Sequence, residues 1–271
     1  MKYASSSAVS EPPPPPGFVF PPRVIEIPRE RQNHKLSLCG VDPAFWGDTG
    51  YPTFLGMSAI MVQRCSGLSI NANVHTTQIY RMNSRVSLDQ SITTASDVSR
   101  VEPRPRGEQV FADFGYALND GSVPLRASRS SLNPGPGDPS GRLAAKPIDL
   151  LDGMSQISEV QLIAENVASY SDKAANLIHS GPATAQRCGF HAPIAGGLIV
   201  SHIMLDAVID EAGCVRPVTG LEMDIRFLRT MDWSERLGVL ATCKDAQGLG
   251  TLQVLALMAN SRTCMQSALF A

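Results

Sequence analysis

Apolar and polar residues alternate in two stretches of the chain, a period typical of strands with one buried face. In the first stretch the apolar positions are Val110, Ala112, Phe114, Tyr116 and Leu118. In the second stretch they are Leu221, Met223, Ile225 and Phe227. Residues 236–244 and 251–259 also have the composition of strands, and they flank a turn at residues 245–248. We therefore predict antiparallel strands in both halves of the chain.

Two other stretches, residues 52–62 and residues 198–209, are apolar on nearly every side, which is typical of a helix buried in a core. In the first half, Asn119-Asp120-Gly121 predicts a hairpin turn, after which residues 123–129 return antiparallel. Each half thus shows one helix followed by antiparallel strands. This order predicts an α+β architecture in which a curved sheet wraps one helix, repeated twice.

Proline and glycine mark the predicted domain boundaries. Residues 12–16 are five consecutive prolines, so we expect residues 1–30 to be a disordered tail, with docking to a partner as the alternative. Proline and glycine are dense again at residues 133–146, which predicts a linker at residues 135–147. The N-terminal unit is then residues 31–134, and the C-terminal unit is residues 148–271.

Composition narrows the classes of function. The net charge of −2 argues against nucleic acid or an anionic membrane surface as the main partner. The six cysteines have neither Cys-x-x-Cys nor zinc spacing, and no dinucleotide glycine motif occurs, so we expect no metal and no cofactor. We find no secretory leader, no apolar run long enough to span a membrane and no peroxisomal tripeptide. We therefore expect a cytoplasmic protein without a membrane partner.

The candidate chemistry lies between residues 172 and 198. His179 stands just before a turn, and Pro193-Ile194-Ala195-Gly196-Gly197-Leu198 leads into the second apolar helix. An imidazole titrates near neutral pH, and backbone N–H groups at a helix start can hold a carbonyl oxygen as it gains negative charge. This combination predicts acid/base catalysis beside an oxyanion hole, although a single loop histidine is more often structural.

The same stretch resembles the MaoC-like, (R)-specific enoyl-CoA hydratases and dehydratases. Their hallmark is an Asp, then Asn-Pro-aliphatic-His, an Ala, Gly-Phe and Pro-Ile-x-His-Gly-Leu. The residues that match it without a gap are Asn176, Ile178, His179, Ala185, Gly189, Phe190, Pro193, Ile194, Gly197 and Leu198. The resemblance implies a double hot-dog fold whose first half walls the tail of an acyl or polyketide-like substrate. It also implies a site in which His179 is the acid/base and the Gly197 N–H is the oxyanion donor. Asn176, Gly196 and Ile194 are the other residues implied at this site.

Three residues depart from the family pattern. Ala174 stands in place of the catalytic Asp, Leu177 in place of the proline, and Gly196 in place of the second histidine. The nearest carboxylate is Asp172. Either Asp172 substitutes for the missing group, or the dyad is broken and the pocket performs dehydration, isomerisation or cyclisation in secondary metabolism, or the protein only binds acyl chains.

An ordinary (R)-specific hydratase is a further alternative, and so is a thioesterase, which would need Asp206 on the helix. His75 and Tyr80 are candidates for the pocket wall, although nothing in their spacing requires it. His202 is expected at the edge of the core, and His191 is a weak candidate. Because hot-dog units pair through their sheets, a homodimer is possible.

Overall fold

The computed structural model describes residues 13–65, 73–134, 154–171, 176–211, 220, 222–241, 253–259 and 262–270. The elements of the first half are β1 (Val19–Glu26), α1 (Arg29–Leu38), α2 (Pro43–Trp46), α3 (Pro52–Cys65), β2 (Val74–Met82), β3 (Ser91–Arg104), β4 (Gly107–Ala117) and β5 (Leu125–Pro134).

The second half repeats much of this order. Its elements are β6 (Ser155–Gln161), α4 (Ala164–Tyr170), a 3₁₀ turn (Leu177–His179), α5 (Pro182–Arg187), α6 (Gly197–Glu211), β7 (Glu222–Phe227), β8 (Arg236–Ala241), β9 (Gln253–Ala259) and β10 (Arg262–Phe270). No helix in the described ranges is both long and apolar enough to cross a membrane.

The described strands form one antiparallel sheet in the order β1-β3-β4-β5-β2-β7-β10-β9-β8-β6. Each half contributes five strands in the same order, first-third-fourth-fifth-second, so the halves are related by a pseudo-twofold axis. The axis passes between β2 and β7, where Thr77 lies opposite Arg226 and Arg81 lies opposite Glu222. Arg81 and Glu222 also form two side-chain hydrogen bonds of 3.0 Å on the exposed face of this seam.

The alternation in the sequence produces the buried face of the sheet. On β4, Ala112, Phe114 and Tyr116 are at most 3 % exposed, while their neighbours along the strand are only partly buried. The predicted hairpin turn after β4 is confirmed. Gly121 has φ of 82°, and the Ser122 backbone N–H donates to the Asp120 carboxylate at 2.9 Å. The predicted turn at residues 245–248 and the predicted linker lie outside the described residues.

The predicted tail was too long. β1 pairs with β3 from Val19 to Glu26, so a strand occupies part of the range 1–30 that we expected to be disordered. Phe20 is 1 % exposed and stacks on Phe114 with ring centroids 6.5 Å apart, which fixes the strand to the core. Two prolines interrupt the register between Phe20 and Arg23, a disruption that an edge strand tolerates.

The two central helices, α3 and α6, pack on each other at a glycine. A β-carbon added to Gly56 would overlap the Tyr80 hydroxyl and would lie 3.0 Å from Leu198 Cδ2. Tyr80 and Leu198 are both buried, so neither can move away into solvent. Gly56 therefore sets the approach of the helix of one half to the helix of the other.

We expect Gly56→Ala to destabilise the protein by about 1–3 kcal/mol, because overpacking exceeds the gain in helix propensity of about 1 kcal/mol. Urea denaturation of the single variant and of Gly56→Ala combined with Tyr80→Phe measures this effect. Tyr80→Phe removes the overlapping oxygen, so most of the lost stability should return. Equal destabilisation in both backgrounds would show that the hydroxyl is not the obstacle.

Candidate functional site

His179 is held by hydrogen bonds that fix its tautomer. It ends the 3₁₀ turn, and its Nδ1 lies 2.8 Å from the carbonyl oxygen of Ile194. Because a carbonyl only accepts, Nδ1 carries the hydrogen, and Nε2 of the neutral ring is left as the acceptor. The Ile194 N–H donates in turn to the Ile178 carbonyl at 3.1 Å, so the two loops support each other.

Burial lowers the pKa of His179 below its ordinary value, and the hydrogen bond to Ile194 offsets this only in part. The ring is therefore neutral at pH 7, with a lone pair on Nε2. A neutral imidazole with one free nitrogen is suited to accept a proton. The sequence prediction of an acid/base group at His179 is compatible with this geometry.

The start of α6 lies next to this ring. A β-carbon added to Gly196 would lie 3.7 Å from His179 Cε1, 3.8 Å from His179 Nε2 and 3.7 Å from Ser171 Oγ. The Gly196 carbonyl accepts the first hydrogen bond of the helix, from Val200 N–H at 3.5 Å. The N–H groups that follow, from Gly197 onwards, have no partner within the helix and carry its positive dipole end.

The loop before α6 is anchored from the far side by the segment after β7. The Ala195 N–H donates to the Met231 carbonyl at 2.7 Å, and the Trp233 N–H donates to the Pro193 carbonyl at 2.9 Å. Ile194 also forms a bridge with Asp232. These bonds fix the direction in which the helix starts.

His75 reaches the same place from the first half. A β-carbon added to Gly197 would lie 2.9 Å from His75 Nδ1 and 2.9 Å from Phe227 Cζ, so only glycine fits there. The His75 and Phe227 rings lie 4.6 Å apart. Burial, and after it the charge of Arg129, lowers the pKa of His75 well below its usual value, which keeps the ring neutral. The sequence made His75 a candidate for the pocket wall, but nothing in it placed this residue at the start of α6. The pairing of β2 with β7 brings it there.

Of the other polar residues predicted for the site, the structure describes Asn176 but not Asp172. Asn176 is 8 % exposed, and no partner for its Oδ1 is found among the residues that the structure describes. Asp172 and Ala174 lie outside the described residues, so the question of the missing carboxylate stays open. Ser171 was not predicted, but it lies at the site. The only feature that could have drawn attention to it is its position at the end of α4.

Lys35 is a second residue that sequence reasoning missed. It is 2 % exposed, and its Nζ donates to the carbonyls of Ser169 at 2.7 Å and Tyr170 at 2.6 Å. These carbonyls end α4, where a cation is favoured by the helix dipole. Lys35 belongs to α1, so the first half holds the helix end that precedes the loop of the site.

His202 is not at the edge of the core, as predicted, but fully buried within it. Its Nδ1 lies 2.7 Å from the Tyr170 hydroxyl and 3.8 Å from Cys39 Sγ, and its ring lies 4.5 Å from that of Tyr51. The reason is that Cys39, just after α1, and Tyr170, at the end of α4, cover this face of α6. By contrast, His191 is exposed and lies 3.2 Å from Asp232, away from the core.

Comparison with known proteins separates sequence from fold. No family model matches the chain, and no curated protein matches it significantly in sequence. Solved structures match it closely. HtdX from Mycobacterium tuberculosis has a TM-score of 0.74 at 14% identity, over 92% of this chain and 99% of that one. A MaoC-like dehydratase from Phytophthora capsici has a TM-score of 0.72 at 13% identity, over 94% and 95%.

A third structure is that of a conserved hypothetical protein from Mycobacterium tuberculosis described as having a double hotdog fold. Its TM-score is 0.65 at 12% identity, over 94% of this chain and 95% of that one. The chain therefore has the α+β double hot-dog fold, as predicted. The resemblance to the MaoC-like dehydratases extends from the motif around His179 to the whole fold.

His202 should make the protein sensitive to acid. Burial lowers the pKa of His202 to about 3, whereas an unfolded histidine titrates near 6.5. The native state then binds fewer protons than the unfolded state between these values, so the stability present above about pH 6.5 is lost as the pH falls towards 3. At about pH 5 the loss is about 2 kcal/mol.

The unfolding free energy of the wild type should fall between about pH 7.5 and about pH 5, and His202 should account for about 2 kcal/mol of that fall. In His202→Asn, which keeps an acceptor near Tyr170, the fall should be smaller by this amount. Urea denaturation at the two pH values measures it. His75 and His179 are present in both proteins, so their contributions cancel. An unchanged pH dependence in the variant would show that His202 is not the group responsible.

Proposed function

We propose that the protein is a hydro-lyase of the MaoC-like type that adds water to, or removes it from, an acyl thioester. The observation that carries this proposal is that His179 Nε2, the acceptor nitrogen of the neutral ring, lies beside the N-terminus of α6. A base and a set of oxyanion donors are the two elements that proton abstraction next to a thioester carbonyl requires.

In the dehydration direction, His179 Nε2 takes the proton from the α-carbon of a 3-hydroxyacyl thioester. The negative charge moves to the thioester oxygen, which accepts from the Gly197 N–H at the positive end of the α6 dipole. The β-hydroxyl then leaves, and the His179 imidazolium returns the same proton to it, so that water is released. Hydration follows the same steps in reverse.

A single imidazole can perform both proton transfers in this scheme, which is how the proposal accommodates Ala174 in place of the family's Asp. Asn176, whose buried Oδ1 has no partner among the described residues, is suited to hold the water. Asp172 keeps the alternative role of a displaced second acid, and Gly196 and Ile194 shape the loop. Ser171 Oγ lies near the same point beside Gly196 as His179 Nε2, where it would donate to the leaving hydroxyl.

The same two groups serve other reactions of the enolate. Return of the proton to a different carbon gives isomerisation, and attack of the enolate carbon on a second carbonyl gives cyclisation. These reactions, a polyketide-like substrate and a role in secondary metabolism were predicted because the dyad is incomplete, and they stay predictions. So do the cytoplasmic location and the homodimer.

We expect His179→Ala to lower hydration of crotonyl-CoA and of a longer trans-2-enoyl-CoA by about 100-fold or more, because general acid/base catalysis is lost. The matched control is His191→Ala, which removes an exposed histidine and should leave the rate unchanged. Loss of enoyl absorbance measures the rate, and product analysis identifies isomers or rings.

Two outcomes would contradict the hydro-lyase. Release of free thiol from acyl-CoA would indicate a thioesterase. Saturable binding of acyl-CoA without turnover of any substrate, unaffected by His179→Ala, would indicate an acyl-binding protein.

The pH profile tests whether a carboxylate assists His179. Because burial lowers the pKa of His179, kcat/KM should stay level above pH 6.5 and fall only at lower pH, as the base becomes protonated. In Ala174→Asp, a carboxylate in the family position should raise this pKa and move the fall to higher pH. A fall that already lies above pH 6.5 in the wild type would contradict an unassisted His179 and would indicate a carboxylate beside it, the role proposed for Asp172 as the alternative.

A further inference from the structure

The interior of the first half contains a group of buried polar side chains. We call these residues the first-half polar set: Thr53, His75, Gln78, Tyr80, Ser96 and Arg129. In the described part of the chain, no hydrogen-bond partner is found for Thr53 Oγ1, Tyr80 OH, Ser96 Oγ, Arg129 Nε or Arg129 Nη1. The buried side chains of His75 and Gln78 interact with each other. Most buried polar atoms in proteins are paired, so a cluster of this kind needs an explanation.

Strand register places the main members on one face of the sheet. Arg129 on β5 lies between Gln78 on β2 and Ala112 on β4. The next row on the same face contains Tyr80 and, further along, Ser96 on β3, opposite Phe114. This is the buried face, against which α3 packs.

Arg129 is the member that costs the most to bury. It is 7 % exposed, and none of the salt bridges among the described residues involves it. Burial lowers the pKa of Arg129 to about 10, so the guanidinium is still charged at neutral pH. A buried cation without a counter-charge is strongly unfavourable, which favours a ligand that supplies the negative charge.

The polar set is continuous with the proposed active site. His75 Nδ1 lies against the first residue of α6, at Gly197, and the charge of Arg129 acts on His75. The Tyr80 hydroxyl lies beside Gly56, close to Leu198, which directly follows Gly197. A molecule whose carbonyl oxygen is held by Gly197 would therefore extend past His75 towards Arg129.

We propose that Arg129 binds a carboxylate carried by the substrate at the end remote from the reacting thioester. This proposal rests on the proposed function for the position of that thioester. A guanidinium donates strong, charge-assisted hydrogen bonds to carboxylate oxygens, and Arg129 Nε and Nη1, which point to different sides of the group, both lack a partner among the described residues. The hydroxyls of Tyr80 and Ser96 would donate to further oxygens of the substrate. A plain hydrocarbon tail would leave all of these groups unpaired.

Binding of saturated thioesters tests the proposal without any turnover. The probes are matched pairs that differ only at the far end, adipyl-CoA against hexanoyl-CoA and suberyl-CoA against octanoyl-CoA. Isothermal titration of the full chain gives the dissociation constants. We expect the dicarboxylate member to bind about 10- to 100-fold more tightly in at least one pair, as is typical of a hydrogen bond to a charged group. The preferred length reports the reach to Arg129.

Three variants locate the preference. Arg129→Met, which has similar bulk, should abolish the preference for the dicarboxylate. Arg129→Lys, which keeps the charge but not the planar guanidinium, should reduce this preference. The matched control is Arg126→Met, because Arg126 lies exposed on the opposite face of the same strand and should not affect the preference. Thermal melting without ligand should give Arg129→Met a melting temperature equal to or above that of the wild type, since a buried unpaired charge is removed.

The outcomes separate this proposal from the proposed function. Equal binding within every pair, or a preference that persists in Arg129→Met, overturns the carboxylate site, whatever the enzyme does to enoyl thioesters. If Arg129→Met does not fold, a preference that is unchanged in Arg129→Lys overturns it instead. A clear preference in the wild type that is lost in Arg129→Met supports it, even if no enoyl thioester is hydrated.

Discussion

The pairing of β2 with β7 is the contact on which the rest of the structure depends. It joins two five-stranded sheets into one and fixes how the first half meets the second, with Thr77 opposite Arg226. Phe227 at the end of β7 then lies against His75, and both rings cover Gly197 at the start of α6. A slip of one residue would turn His75 to the other face of the sheet and remove one wall of the site.

Much of this fold follows from the sequence, since local patterns encode it. The alternation on β4 and β7 and the apolar runs of α3 and α6 identify two sheets with a helix each, and the motif around His179 identifies the double hot-dog. What the sequence did not reveal depends on pairing over long distances. β1 has few apolar residues and contains two prolines, yet its Phe20 reaches the core. The strand with which β1 pairs, β3, begins more than sixty residues later in the chain.

The site divides in the same way. Residues of one contiguous motif, such as His179 and Gly197, could be predicted because the motif itself brings them together. Lys35, Ser171 and Arg129 could not, because a sequence gives the charge of a side chain but not its burial. Lys35 is buried since α1 packs against α4, and Arg129 is buried since its strand turns that face towards α3. Both facts belong to the packing between elements.

Lys35 and Arg129 are both buried cations, but they differ in the groups that surround the charge. Lys35 donates to the carbonyls that end α4 and lies near the face of the Tyr170 ring, so these contacts offset the cost of burying its charge. Arg129 has no such partner among the described residues, so its charge opposes folding as long as the site is empty. The unpaired guanidinium is best explained by binding, because only a ligand converts its cost into affinity.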